Sequence, residues 1–132
     1  MAQVDNTQGA AAIAGSWLVT TTDPTPSIVG IISHTEDGVV IQAHPNPALS
    51  AGHGAWVQTG ERDYLLTFLY LRRNAQGNLV GTQKVRRMVN LDETGSSFTG
   101  SFQNEVLDLE GNVERSSTGT VQGARIVAEP FV

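Results

Sequence analysis

The chain of 132 residues contains no cysteine. That excludes disulfides, zinc–thiolate sites, iron–sulfur clusters and a cysteine nucleophile together. Lysine is nearly as scarce, Lys84 being the only one, and 13 acidic residues against 8 Lys and Arg leave a net charge of −5. So little positive charge gives no field to hold a phosphate backbone, so nucleic acid is not expected as a partner, nor is an anionic membrane surface. Long apolar runs are missing too. Nothing approaches the ~20 residues that span a bilayer as a helix, so no membrane insertion is expected. The opening MAQVDNTQGAAAIAG has neither the basic start nor the long apolar core of a signal peptide, and localisation stays open between cytoplasm and export.

Helical patterning is the next scarcity. Only QGAAAIAG (8–15) has helical composition, and it is one or two turns long between glycines. DPTPS (23–27) carries two prolines and reads as a loop or lid-like bend.

What is present is punctuation and strand. EDG (36–38), TGERD (59–63), NAQGN (74–78), DETG (92–95) and LEGN (109–112) each set Gly beside Asp, Asn or Glu, the chemistry of tight hairpins. Between the turn signals lie eight β-branched and aromatic runs, from GSWLVTT at the start to VERSSTGTVQGARIV at the end. Eight sequential strands with short connections form a meander. An open sheet would leave two long edges unpaired, whereas an up-and-down barrel removes them and leaves room for side chains or one small ligand. A two-sheet sandwich is the competitor and usually needs long crossing connections; the only long one here is 43–54. The expectation is an all-β chain: an arm with a short helical turn over 1–14, one eight-stranded antiparallel barrel over 15–128, and a tail over 129–132.

Alternation assigns the faces. In LVGTQKVRRMVNL the inward set is Leu79, Gly81, Gln83, Val85, Arg87, Val89 and Leu91; in SSFTGSFQNEV it is Phe98, Gly100, Phe102, Asn104 and Val106. The fifth run is apolar on both faces, with Tyr64, Leu66, Phe68 and Tyr70 opposite Leu65, Thr67, Leu69 and Leu71. A strand greasy on both sides takes a central position or meets a second subunit, so a homodimer or higher homo-oligomer is expected.

Gly15-Ser16-Trp17, after a short Ala-rich turn and before an apolar strand, resembles the G-x-W opening of lipocalins and the wider calycin group of ligand-binding barrels. That resemblance implies structural roles for Trp17, closing the barrel base, and for Arg125 in GARIV, packing across its ring. A guanidinium over an indole gains ~0.5–2 kcal/mol whatever the family. The size and pattern are also similar to the barrel of allene oxide cyclase, a cofactor-free isomerase.

No Ser–His–acid order, P-loop, G-x-G-x-x-G or paired catalytic carboxylate stands out. The segment HPNPALSAGHGAW (44–56) holds His44 and His53, nine residues apart without a carboxylate between them. That spacing fits no zinc motif, so no metal site is expected, and both read as loop histidines. As a proton-transfer residue His53 is the better candidate, flanked by two glycines near Trp56 in a loop that would cover the barrel mouth. Arg87 and Gln83 stand among apolar neighbours, where an unpaired charge is costly. Either Arg87 turns outward or pairs with a carboxylate as a strut, or it anchors a ligand with Asn104 and Tyr70. The candidate catalytic residues are therefore His53, Arg87 and Tyr70, and Trp56, Phe68, Gln83, Phe98, Phe102 and Asn104 are candidates to line a cavity.

The expected function is binding of a hydrophobic or aromatic small molecule in the barrel, with cofactor-free isomerase, cyclase or dehydratase chemistry as the allene oxide cyclase likeness implies, and with no cofactor. A non-catalytic carrier and a solid-cored oligomeric interaction module are the alternatives.

Overall fold

The computed structural model describes residues 12–22 and 27–131. The start of the expected helical turn (8–11), most of the DPTPS bend (23–26) and residue 132 of the tail lie outside the described residues.

Eight strands follow in order: β1 (Gly15–Thr21), β2 (Ile28–His34), β3 (Val39–Ala43), β4 (Gly52–Gln58), β5 (Asp63–Arg73), β6 (Leu79–Leu91), β7 (Ser97–Asp108) and β8 (Val113–Arg125). Each pairs antiparallel with the next, and β8 returns to β1 through Trp17–Arg125 to Thr21–Val121. That last pairing closes the barrel and rules out the sandwich.

Three hairpins share one device. Asn74, Asp92 and Asp108 each accept, through Oδ1, the backbone N–H of the residue four places on, at 3.0, 3.0 and 2.8 Å. Gly77, Gly95 and Gly111 then take φ of 84°, 75° and 89°, which only glycine adopts cheaply. Both halves of the device are visible in the sequence as Asn or Asp followed by Gly three residues later.

The alternation holds along β5, β6 and β7: Tyr64, Leu66, Phe68, Tyr70, Val85, Arg87, Val89, Leu91, Phe98, Phe102 and Val106 are all buried. Leu79 departs from it at 48 % exposed. The β5–β6 register slips between Arg72 and Arg73, so Arg72 opposes Gly81 but Arg73 opposes Leu79, and the extra residue puts Leu79 out of phase.

One end of the barrel is plugged. The Arg125 guanidinium lies 4.2 Å from the Trp17 ring centroid. It donates from Nε to Gly95 O at 2.8 Å, from Nη1 to Ala14 O at 2.7 Å, and from Nη2 to Ala12 O. Trp17 Nε1 donates to Ile13 O at 3.0 Å, tying the chain before β1 beneath the ring. Phe98 packs on Trp17 at 4.9 Å, and its own ring lies over Gly123, where a Cβ would come within 2.3 Å of it. Trp56 and Tyr64 fill the rest of this end edge to face at 5.7 Å.

His34 closes β2 at the same end, 3 % exposed and paired across the sheet with Gly15. Burial, reinforced by Arg87 and Arg125, lowers its pKa to about 4. The unfolded chain titrates His34 near 6.5, so between these values the unfolded state takes up a proton that the folded state refuses. Stability from this group is complete above about pH 6.5 and falls as pH drops towards 4, by on the order of 3 kcal/mol. Urea unfolding at pH 7 and pH 4.5 checks this: wild type loses midpoint on acidification, and His34→Leu is expected to lose distinctly less.

Candidate functional site

The opposite end is hollow. There the inner faces of the strands and the β3–β4 connection enclose a cavity of about 430 Å³, within the usual range for small-molecule sites. Its wall is part apolar, through Val19, Ile28, Val85, Phe102, Val106 and Leu49. The remaining lining includes Gln42, His44, Tyr70, Gln83, Arg87, Asn104 and Arg115. Among the described residues two arginines line it and no Asp or Glu does.

Arg87 is the deepest of these groups. Strand alternation on β6 aims it inward at 5 % exposure, opposite Leu66 of β5 and Phe102 of β7. Its guanidinium rests 5.0 Å from the Phe68 ring centroid, and Nη1 donates to Gln42 Oε1 at 3.0 Å. Among the described residues Nε has no partner and no carboxylate pairs with Arg87; the ion pairs there are Arg62–Glu93, Arg72–Glu114 and Arg86–Glu105. Neither alternative that makes Arg87 bland is met: it does not turn outward, and it is not a strut on a carboxylate. Burial lowers its pKa to about 10, with Tyr70 acting in the opposite direction, so it stays charged at neutral pH.

Gln42 is held for this contact. Its Nε2 donates to Ala43 O at 3.1 Å, leaving Oε1 for Arg87. The neighbouring strand makes room with Gly30, where a Cβ would sit 2.4 Å from Gln42 Nε2. Asn104 Oδ1, on β7, is buried without a partner among the described residues, a second unmet polar atom in the same cavity wall.

Nearer the mouth, Tyr70 and His44 meet edge to face at 5.4 Å. Burial pushes the Tyr70 phenol up, so it remains protonated and acts as a donor or neutral acceptor. His44 is pushed down by burial and then by Arg87. Its Nδ1 accepts the Asn46 backbone N–H at 2.9 Å, which places the proton of the neutral ring on Nε2. Among the described residues, the charged and titratable groups of the cavity are thus donors at neutral pH: Arg87, Arg115, Tyr70 and the His44 Nε2–H.

The expected residues divide accordingly. Arg87, Tyr70, Gln83, Phe102 and Asn104 come together in the cavity, and Phe68 sits behind it under Arg87. Trp56 and Phe98 do not join them; they pack at the plugged end, where Trp56 Nε1 donates to Thr35 O at 2.8 Å. His53 points outward and is exposed, because β4 begins already at Gly52 and the strand's alternation turns residue 53 away from the interior. The long connection is therefore His44–Ala51, and it does not arch over the mouth. It is zipped along β5, with Leu49 bridged to Arg72, Ser50 N donating to Leu71 O, and Arg73 N donating to Ala48 O. From there His44, Asn46 and Leu49 form one side of the rim.

His44, Gln42 and Arg115 are the site residues missed by sequence reasoning. Period two in VVIQA, extended by one step, puts Val40, Gln42 and His44 on one face, and that was the available signal.

No family model, curated protein or solved structure matches the chain. Fold and site alone define its class, a closed eight-stranded antiparallel β-barrel plugged at one end and hollow at the other.

Proposed function

We propose that the barrel binds a small molecule with an apolar or aromatic body and a single anionic head, the head lodged against Arg87 at the bottom of the cavity. The observation that carries this is Arg87 itself: a buried cation beside an apolar wall, with one neutral hydrogen-bond acceptor and no counter-ion among the described residues. Such a charge is costly to keep unpaired, and an arriving carboxylate supplies what is missing. With Nη1 taken up by Gln42, the Nε and Nη2 hydrogens form the edge left for a two-oxygen head. At about 30 Å³ per non-hydrogen atom, the share of a water molecule, the cavity suits a ligand of roughly 15 such atoms.

The same donor-rich lining supports a carrier over the cofactor-free isomerase or cyclase. Proton abstraction needs a base, and among the described residues no carboxylate lines the cavity while His44 uses Nδ1 on Asn46. An enzyme at this site would act by folding its substrate and steadying negative charge with Arg87 and Tyr70. In architecture this reading sets the chain beside calycin-like barrels, supported by the Gly15-Ser16-Trp17 opening and the Arg125–Trp17 stack.

Isothermal titration with a matched pair tests the proposal. 4-Phenylbutyrate is expected to bind, and 4-phenylbutan-1-ol, alike but uncharged, to bind at least tenfold more weakly. Equal affinities would remove the anionic head from the proposal, and binding of neither would remove the ligand site of this size.

A further inference from the structure

The outer surface of the barrel is divided in a way the ligand cavity does not explain. The outward residues of β6 to β8 are mostly polar, with Arg86 and Glu105 paired at 3.3 Å. On the other side, from β1 to β5, and apart from the charged Asp63 and Arg73 at the two ends of β5, the outward positions are largely apolar. The pairing register makes them contiguous: Leu18 lies beside Ile31, Ile41 beside His53 and His53 beside Leu69, and Val57 beside Leu65. All of the large apolar residues in that set are 41–57 % exposed. No Asp, Glu, Lys or Arg points outward from β2, β3 or β4. Alanines at 43 and 55 keep the surface low between the larger side chains.

We infer that this wall is the contact face for a second copy of the chain. Nine large apolar residues from β1 to β5 (Leu18, Val29, Ile31, Val39, Ile41, Val57, Leu65, Leu69 and Leu71) are each 41–57 % exposed, and a contiguous apolar wall without charge across β2 to β4 is the mark of an interaction surface. The charge pattern selects the occupant. Two copies carrying −5 each repel wherever their acidic residues approach, and the β2–β4 wall is where they meet without doing so. Closure of the barrel leaves no strand edge to extend, so the contact is made by side chains, sheet face against sheet face, at about 10 Å. The cavity mouth lies at the barrel end and stays open in such an assembly.

Sedimentation velocity between 1 and 100 μM decides it. Wild type is expected at the mass of two or more 14.1 kDa chains. Ile41→Lys and Leu69→Lys, each outward and outside the core, are expected at the mass of one, with unchanged circular dichroism showing that they fold. Gln103→Lys on the polar wall is expected to leave the assembly intact. A wild type that sediments as one chain throughout overturns the inference, including the case in which that monomer floats with lipid vesicles, which would give the wall a membrane instead. Dissociation by Gln103→Lys as complete as by Leu69→Lys overturns it as well.

Discussion

Arg87→Met is expected to raise the melting temperature of the ligand-free protein while removing its affinity for an anionic ligand. The two effects have one cause. Methionine follows the path of the arginine stem and fills the space above Phe68 without carrying a charge into it. Replacing a poorly paired buried charge with an apolar side chain of similar length is commonly stabilising by about 1–4 kcal/mol. Against this stands the loss of the hydrogen bond to Gln42 Oε1, an acceptor at the cavity wall that water can reach once the guanidinium is gone. The net expectation is a gain of roughly 1–2 kcal/mol, or about 5 °C in a domain of this size. Affinity for 4-phenylbutyrate is expected to fall on the order of a hundredfold, the usual scale for deleting one partner of a buried charge pair. If Arg87 were instead a strut of the fold, its loss would cost stability. Thermal melts and titrations on the same protein therefore separate the roles, and a fall of several degrees with affinity kept would contradict the binding account.

Arg125→Ala is expected to do the reverse: a large loss of stability with ligand affinity unchanged. The guanidinium ties the carbonyls of Ala12, Ala14 and Gly95 to one another across the plugged end and covers the Trp17 ring. Alanine leaves three partly buried acceptors without donors and strips the cation from the indole, together about 3 kcal/mol after allowance for water reaching some of them. That is on the order of 10 °C. Arg125→Lys recovers only part, because one ammonium does not span three carbonyls in the plane of a fork. Differential scanning calorimetry of the three proteins orders them wild type, lysine, alanine. A binding defect in Arg125→Ala at a temperature where it remains folded would mean that the plugged and hollow ends are coupled.

The barrel was legible because its information is local. Asn or Asp with Gly three residues on marks the hairpins at 74, 92 and 108, and two-residue alternation marks the inner faces of β5, β6 and β7, so strand number, order and facing follow from short stretches of sequence. Leu79 escaped because a single-residue slip at Arg72–Arg73 shifts the phase without any turn signal. The site was half legible. Arg87, Tyr70 and Asn104 stand out as polar residues on otherwise apolar inner faces, and such exceptions can be seen one strand at a time. Which histidine faces the cavity depends instead on where β4 begins. Taking Gly52-His53-Gly54 as loop put His53 at the mouth, whereas pairing of Ile41 with His53 and of His53 with Leu69 makes it strand and turns it outward. The depth of a residue along the barrel was not legible either. Trp56 and Phe98 face inward as alternation requires, yet they belong to the plug, because stagger between strands decides which end an inward residue reaches.

The Nε–H of Arg87 reports most directly on the central claim. It is buried without a hydrogen-bond partner among the described residues, and in a ¹⁵N–¹H correlation spectrum its resonance can be assigned by its disappearance in Arg87→Met. Titration with 4-phenylbutyrate is expected to move that resonance downfield as the carboxylate accepts the proton, saturating with the same affinity as the calorimetric signal, while 4-phenylbutan-1-ol leaves it in place. Binding of the carboxylate with the Arg87 resonance unmoved, and with shifts confined to the outer wall around Ile41 and Leu69, would contradict the account.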